Sequence, residues 1–304
     1  MRHFLSLADF TPREIRGFLT LAGMVKREPE RYRTTLAGKT LAMIFQKKST
    51  RTRVSFEVGM FQLGGHALFL SGSDMQLGRG ETVPDTARVL SRFCDGIMAR
   101  VFAHADVEAL TAGTVPVING LSDKLHPCQV LADLMVLEEH KGRLEGLTLA
   151  YVGDGNNMAH SLINGCTRTG VAIRVATPAG YEPDADIVAA ARAAGGNVEV
   201  MRDPRAAVRG VDAVYTDVWA SMGQEEEHAK RLKLFADYQV NESLFALAAP
   251  DAVFLHCLPA HRGEEVTDGV VDHPRSIVYD EAENRLHAQK AVMLHLMGNV
   301  PLPV

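Results

Sequence analysis

The sequence predicts an α/β protein of two domains, each a parallel sheet flanked by helices, with interdomain helices joining them. Three observations carry that reading. The chain has 304 residues, more than one hydrophobic core usually serves. Short β-rich runs alternate with helical patterns, the rhythm of parallel strands linked by crossover helices. Nearly every unusual polar cluster also comes directly after a β-rich run, and open α/β sheets bind their ligands outside the carboxyl ends of their strands. Two such edges facing each other would make an interdomain cleft.

In the first half the β-rich runs are TLAMIF (40–45), HALFL (66–70), GIMARV (96–101) and VPVING (115–120). STRTRVSFEVGMFQLG follows the first; Val54, Val58 and Phe61 share one helical face, and Ser49 or Thr50 is placed to cap the helix. HPCQVLADLMVLEEHKGRLEG follows the fourth. There Pro127 suits a first helical position, Val130, Leu134 and Leu137 fall on one face, and the polar stretch at 140–146 marks a domain junction. The second half repeats the rhythm with LTLAYVG (147–153), VAIRVA (171–176), NVEVM (197–201), AVYTDV (213–218) and AVFLHC (252–257). NRLHAQKAVMLHLMGN then closes the chain as an amphipathic helix. The expected division is a first domain of residues 1–143, with a C-terminal helix at 285–304 packing back on it, and a second of 144–284. No internal repeat or low-complexity segment interrupts this pattern.

Composition narrows the function. A hydrophobic content of 46% and a charged content of 23% are those of an ordinary globular protein. The formal net charge of −5 provides no global basic field for nucleic acid or an anionic membrane, so any anion site must be local. The four cysteines, Cys94, Cys128, Cys166 and Cys257, are scattered without CxxC spacing, and the first residues carry no secretory pattern. Free thiols in a reducing cytoplasm are expected. No apolar run approaches the ~20 residues of a membrane helix.

The polar clusters point to an anion and an amino acid. In STRTR, the hydroxyls of Ser49 and Thr50 with Arg51 and Arg53 sit at a helix start, where free amide groups favour phosphate; the bland alternative is a capped helix with solvated arginines. Arg100 closes the third run. His126, just before a helix N-terminus, feels the positive end of the helix dipole, which disfavours the imidazolium and leaves a neutral donor; a satisfied loop histidine is the alternative. VGDGNNM imitates the dinucleotide fingerprint, but Met158 replaces its third glycine and ATPAG lacks the acidic residue that would hold a ribose. A tight turn presenting Asn157 explains the glycines, and no nicotinamide cofactor is expected. TDVWASMG offers the Asp217 carboxylate with Ser221 and the Met222 amide one turn later, the donors and acceptor an α-amino acid zwitterion needs; alternatively Asp217 merely caps a turn. In VFLHCLPAHRGEEV, zinc would require about four ligands, and His256, Cys257 and His261 bring no convincing fourth. No metal is expected.

Together STRTR, HPCQVLADL, DVWASMG and HCLPAHRGEEV resemble the ornithine branch of the aspartate and ornithine carbamoyltransferase superfamily, in the family's order and across the whole chain. Gln46 stands where many members carry an acidic residue. The resemblance implies a carbamoyl phosphate domain followed by an ornithine domain, no cofactor, a homotrimer or multiple of trimers, and an active site at the subunit interface. It implies that Ser49, Thr50, Arg51 and Thr52 cradle the phosphate, that Arg100, His126 and Thr52 hold the carbonyl oxygen, and that Gln129 and the backbone carbonyls of Cys257 and Leu258 hold the carbamoyl amide. Gln76 would reach a phosphate from the neighbouring subunit and Arg285 would close the site. Asn157, Asp217, Ser221 and Met222 would bind the amino-acid head of ornithine.

The implied reaction is attack of a neutral δ-amine on a carbonyl carbon, with Arg100, His126 and Thr52 as the oxyanion hole. Phosphate is the leaving group and can take the amine proton, so a covalent nucleophile and a dedicated base are unnecessary. The Cys257 sulfur is then expected beside the δ-amine, opposite Asp217, with His256 on the sheet's other side and His261 opening a segment that closes over ornithine. N-acetylornithine, putrescine and aspartate are the rival acceptors, and Asp217 with SMG argues for a free α-amino group. Arginine biosynthesis is the expected setting, with catabolic phosphorolysis of citrulline as the alternative.

Overall fold

A computed structural model describes residues 1–73, 75, 80–220 and 227–303. Gln76, Ser221 and Met222 lie outside the described residues. The chain divides into two compact units, residues 1–135 with 283–304, and residues 136–282.

The first unit contains, in chain order, α1 (Pro12–Arg27), β1 (Thr40–Phe45), α2 (Thr50–Gln62), β2 (His66–Ser71), α3 (Val83–Leu90), β3 (Gly96–Arg100), α4 (His104–Leu110) and β4 (Val117–Leu121). The boundary falls within α5 (Pro127–Lys141). Among the described residues the four strands pair in parallel in the order β2-β1-β3-β4. Leu41 to Ile44 and Ile97 to Ala99 are fully buried, as central strands covered on both faces must be. Ala42, Ile44, Ala87, Ile97, Ala99 and Val117 belong to one core cluster. α2 buries Phe56, Gly59 and Met60, and a Cβ on Gly59 would lie 2.9 Å from the Met293 side chain. The Val54 and Phe61 face, read as an apolar stripe, is instead the outer one, 50% and 80% exposed.

The second unit continues with β5 (Thr148–Val152), α6 (Asn157–Thr169), β6 (Ala172–Ala176), α7 (Ala185–Ala193), β7 (Val198–Met201), α8 (Pro204–Val208), β8 (Ala213–Thr216), α9 (His228–Leu234), α10 (Glu242–Phe245), β9 (Val253–Leu255) and α11 (Asp268–Val271). Its five strands, again among the described residues, are parallel in the order β7-β6-β5-β8-β9. Val152, Val214, Phe235, Phe245 and Phe254 anchor its main core cluster.

The second boundary falls within α12 (Val278–Leu296). The helix expected at 285–304 therefore begins earlier and stops sooner. Asn299 takes φ 53° and the Val300 N–H reaches back to the Leu294 carbonyl at 3.0 Å, a left-handed helix stop. Pro301 and Pro303 could not continue the helix. No helix among the described residues is long and apolar enough to cross a membrane.

Candidate active site

Each sheet reverses its direction of growth once, and the polar clusters collect at those two switch points, where open α/β sheets place ligands. In the first unit the reversal lies between β1 and β3. Ser49 is the N-cap of α2, its Oγ accepting the Thr52 N–H at 3.2 Å. Arg100 ends β3 at a register irregularity, a device that re-aims a side chain. Its carbonyl accepts the Gln46 N–H at 2.9 Å and so ties the end of β3 to the segment after β1.

His126 is 5% exposed, immediately before Pro127 begins α5. Burial first, then the charges of Arg285, Arg100 and Arg51, hold its imidazole well below the ordinary histidine range. The helix dipole named from sequence points the same way, but desolvation dominates. Arg51 and Arg53 do not act as the expected pair. Residues two apart do not share a helix face, and Arg53 instead pairs with Glu57 at 3.0 Å and stacks 3.8 Å over the Phe69 ring.

Arg285, on α12 and buried, donates from Nη1 to Gln129 Oε1 at 2.5 Å and from Nη2 to Thr52 Oγ1 at 3.2 Å. Gln129 Nε2 donates to Asp133 at 2.8 Å. The Gln289 amide accepts from Arg285 at 2.9 Å and donates to Ser55 at 2.6 Å. Thr52, Gln129 and Arg285, named from widely separated motifs, thus form one network. Asp133 and Gln289 complete it and went unread in the sequence, although Asp133 sits one helical turn after Gln129. The Cys128 thiol is pushed up to about 12 by burial and donates to the Asn119 carbonyl at 3.3 Å, a packing role.

In the second unit the reversal lies between β5 and β8, with GDGNN after one and Asp217 after the other. Asn156 caps α6, accepting from the Met158 N–H at 2.9 Å and from the Tyr151 hydroxyl at 3.2 Å, while its Nδ2 donates to Asp217 Oδ2 at 3.2 Å. Asn157 is the first residue of α6. A Cβ on Gly155 would lie 2.3 Å from the Pro183 nitrogen, so this glycine accommodates the protein's own chain.

Asp217 Oδ1 accepts the Val218 N–H at 2.8 Å and the Cys257 thiol at 3.1 Å. The sulfur is therefore on Asp217 and not opposite it: a separation that short leaves no room for an amine between them. His256 is buried, its Nδ1 accepting the Leu258 N–H at 2.8 Å, which places the ring proton on Nε2, 3.2 Å from Glu265 Oε1. The His261 N–H reaches the same oxygen at 2.5 Å. Glu281 accepts from the His256 N–H at 2.9 Å and the Tyr215 hydroxyl at 3.2 Å. Leu258 has φ 56° and precedes a cis bond to Pro259; such a φ in a bulky residue costs about 1–3 kcal/mol and is typical of functional sites. Asp217, His256 and Cys257 place one ligand-type atom each within 4.8 Å of one another, as do His261, Glu264 and Glu265. The two groups are joined through the His256–Glu265 contact, and their members are already engaged in hydrogen bonds.

Sequence reasoning also passed over Asp154 and Arg231. They form a buried ion pair at 2.6 Å directly beside this cluster. Burial pushes the Asp154 carboxyl up, and Arg231 opposes that shift. Asp154 stands inside VGDGNNM, where the glycine spacing and Asn157 drew the reading; Arg231 lies in a short helix with no distinguishing pattern.

A model of the carbamoyl-P binding domain of aspartate/ornithine carbamoyltransferases matches residues 2–139, and a model of their Asp/Orn binding domain matches residues 145–296. The chain belongs to the aspartate/ornithine carbamoyltransferase family. A family member from Thermococcus kodakarensis named "Ornithine carbamoyltransferase" is 57% identical over 98% of this chain and 97% of its own. One from Pyrococcus furiosus named "Ornithine carbamoyltransferase, anabolic" is 57% identical over the same shares. A solved structure of ornithine carbamoyltransferase from Pyrococcus furiosus superimposes with a TM-score of 0.94 over 99% of this chain and 98% of that one. His126, Thr52, Gln129 and Asp133 fall in the segment matched by the family's carbamoyl-P domain, and the Asp217 cluster falls in the segment matched by its Asp/Orn domain.

Proposed function

We propose that the protein transfers the carbamoyl group of carbamoyl phosphate to the δ-amine of L-ornithine, giving L-citrulline and phosphate, in arginine biosynthesis. The observation that carries this reading is the buried His126 imidazole, whose neutral form is favoured by burial and by the charges of Arg285, Arg100 and Arg51. Fixed positive charge suits a phosphate dianion, and a neutral N–H donor suits a carbonyl oxygen that becomes an oxyanion. The names of relatives at 57% identity, one of them anabolic, support the acceptor and the direction.

In this reading residues 1–143 with the C-terminal segment 285–304 serve carbamoyl phosphate, and residues 144–284 serve ornithine. Ser49, Thr50, Arg51 and Thr52 hold the phosphate at the α2 N-terminus, with Arg285 beside them. Arg100, His126 and Thr52 stabilise the oxyanion, each donor worth about 2.7–4 kcal/mol in known cases. Gln129 and the carbonyls of Cys257 and Leu258 hold the carbamoyl amide. Asn157, Asp217, Ser221 and Met222 bind the α-amino acid head. The amine nitrogen bonds to the carbonyl carbon, the tetrahedral intermediate collapses with cleavage of the carbon–oxygen bond to phosphorus, and the departing phosphate takes the amine proton. The Cys257 thiol, donating to Asp217, orients that carboxylate.

A homotrimer, or a multiple of it, with Gln76 contributed by the neighbouring subunit, is supported by the outer surface of the first unit. Phe61, Val54 and Phe69 are exposed on α2 and on β2, an edge strand, next to a cavity of about 850 Å³ lined by Ser49, Thr50 and Phe102. A native mass of three chains, or a multiple of three, is expected, and a monomer at micromolar concentration would contradict it. Four free cysteines fit a cytoplasmic location. The activity is tested by mixing the purified protein with carbamoyl phosphate and ornithine: citrulline and phosphate should appear in equal amounts, and phosphate without citrulline would defeat the reading.

A further inference from the structure

Arg231 makes more directed contacts than any role so far assigned requires. It lies on α9, is 6% exposed, and reaches three separate parts of the second unit. Nη1 donates to Asp154 Oδ2 at 2.6 Å, in the turn after β5, and to the Trp219 carbonyl at 2.8 Å, in the turn after β8. Nε donates to Glu227 Oε2 at 3.3 Å, and the guanidinium stacks 4.9 Å over the Tyr181 ring.

Those contacts join the two strand ends that carry the ornithine-head residues. Asp154 is two residues before Asn156, which donates to Asp217, and three before Asn157. Trp219 is two residues after Asp217. A planar fork with fixed donor directions can satisfy several acceptors at once, whereas a lysine ammonium on a flexible stem cannot hold the same geometry.

We propose that Arg231 is a positioning residue that aligns the amino-acid-head site by fastening the turn after β5, the turn after β8 and the start of α9 to one another. The inference rests on the ornithine reading above and adds to it a residue that need not touch substrate. Positioning predicts a selective defect, because every contact named for Arg231 lies within the second unit, whereas Thr52, Gln129 and Arg285 belong to the first.

The test measures citrulline formation for wild type, Arg231→Lys, and the apolar double variant Arg231→Met with Asp154→Leu, which leaves no buried charge unpaired. L-norvaline, which has ornithine's head and chain but no δ-amine, serves as competitive inhibitor and reports head binding alone. In both variants the KM for ornithine and the Ki of norvaline should rise together by about tenfold or more, as small misplacements of binding groups commonly cost, while the KM for carbamoyl phosphate stays within about twofold. Arg231→Lys should be the milder, since it keeps the charge beside Asp154. Equal loss in both substrates, or wild-type norvaline binding in the folded double variant, would overturn the proposal. A wild-type protein that made no citrulline would instead defeat the ornithine reading itself, and the two failures are distinguishable.

Discussion

Lowering the pH from 7.5 to 5.5 should destabilise the first unit through His126 in a calculable way. In the unfolded chain the imidazole titrates near its ordinary value of 6.5; in the folded protein burial and three arginines depress it well below that. The unfolded state therefore binds the proton first, and stability is complete above pH 6.5 and lost as pH falls below it. For a folded imidazole that stays neutral throughout, integration gives a loss of about 1.4 kcal/mol between pH 7.5 and 5.5. Other histidines with depressed values, His3, His104 and His287, add to the total but are common to wild type and a His126→Asn variant. Urea unfolding followed by circular dichroism at the two pH values should show wild type losing about 1.4 kcal/mol more than His126→Asn. Equal acid sensitivity in the two proteins would refute the neutral, desolvated imidazole. A His126→Ala variant, which leaves no side-chain donor at that position, should lower kcat by about 10²–10³, the usual cost of one oxyanion donor.

Ser49→Ala removes the side-chain cap of α2 and should cost about 1 kcal/mol in urea unfolding, together with a higher KM for carbamoyl phosphate than for wild type; an unchanged KM would separate the cap from the phosphate site. Gly155→Ala forces a methyl against the Pro183 backbone and should destabilise the second unit by about 1–3 kcal/mol, read as a lower denaturation midpoint of Trp219 fluorescence. Cys257→Ser retains a donor for Asp217 and should reduce kcat/KM for ornithine less than Cys257→Ala, which leaves that acceptor short by about 1.5–3 kcal/mol; metal content should be the same in all three proteins, and the reverse order would make the sulfur itself essential.

The strands were legible because buried parallel strands are near-continuous apolar runs, as in TLAMIF, where Leu41 to Phe45 are all buried. Their ends were legible too: glycine turns and hydroxyl caps such as Ser49 announce a change from one period to another. Side-chain direction was less so. Val54, Val58 and Phe61 form a clear apolar stripe, yet α2 buries the opposite face of Phe56, Gly59 and Met60, because an apolar stripe says that a surface wants covering and not by what. Arg51 and Arg53 looked equivalent as letters and differ by a helical rotation that sends Arg53 to Glu57 and Phe69. The long-range partners had no local signal at all. Arg231 meets Asp154 across 77 residues, and Glu281 meets His256 across 25. The position of the Cys257 sulfur also depended on how β8 and β9 pair, which the sequence does not state.

The identity of the acceptor is decided by an acceptor panel. The purified protein is given carbamoyl phosphate with L-ornithine, N-acetylornithine, putrescine or L-aspartate in turn, and the carbamoylated product is identified by mass. L-Citrulline should form from ornithine with the highest kcat/KM of the four, because the proposed role of Asp217 and its neighbours is to hold a free α-amino acid head. A higher kcat/KM with any other acceptor, or no citrulline from ornithine, would contradict it.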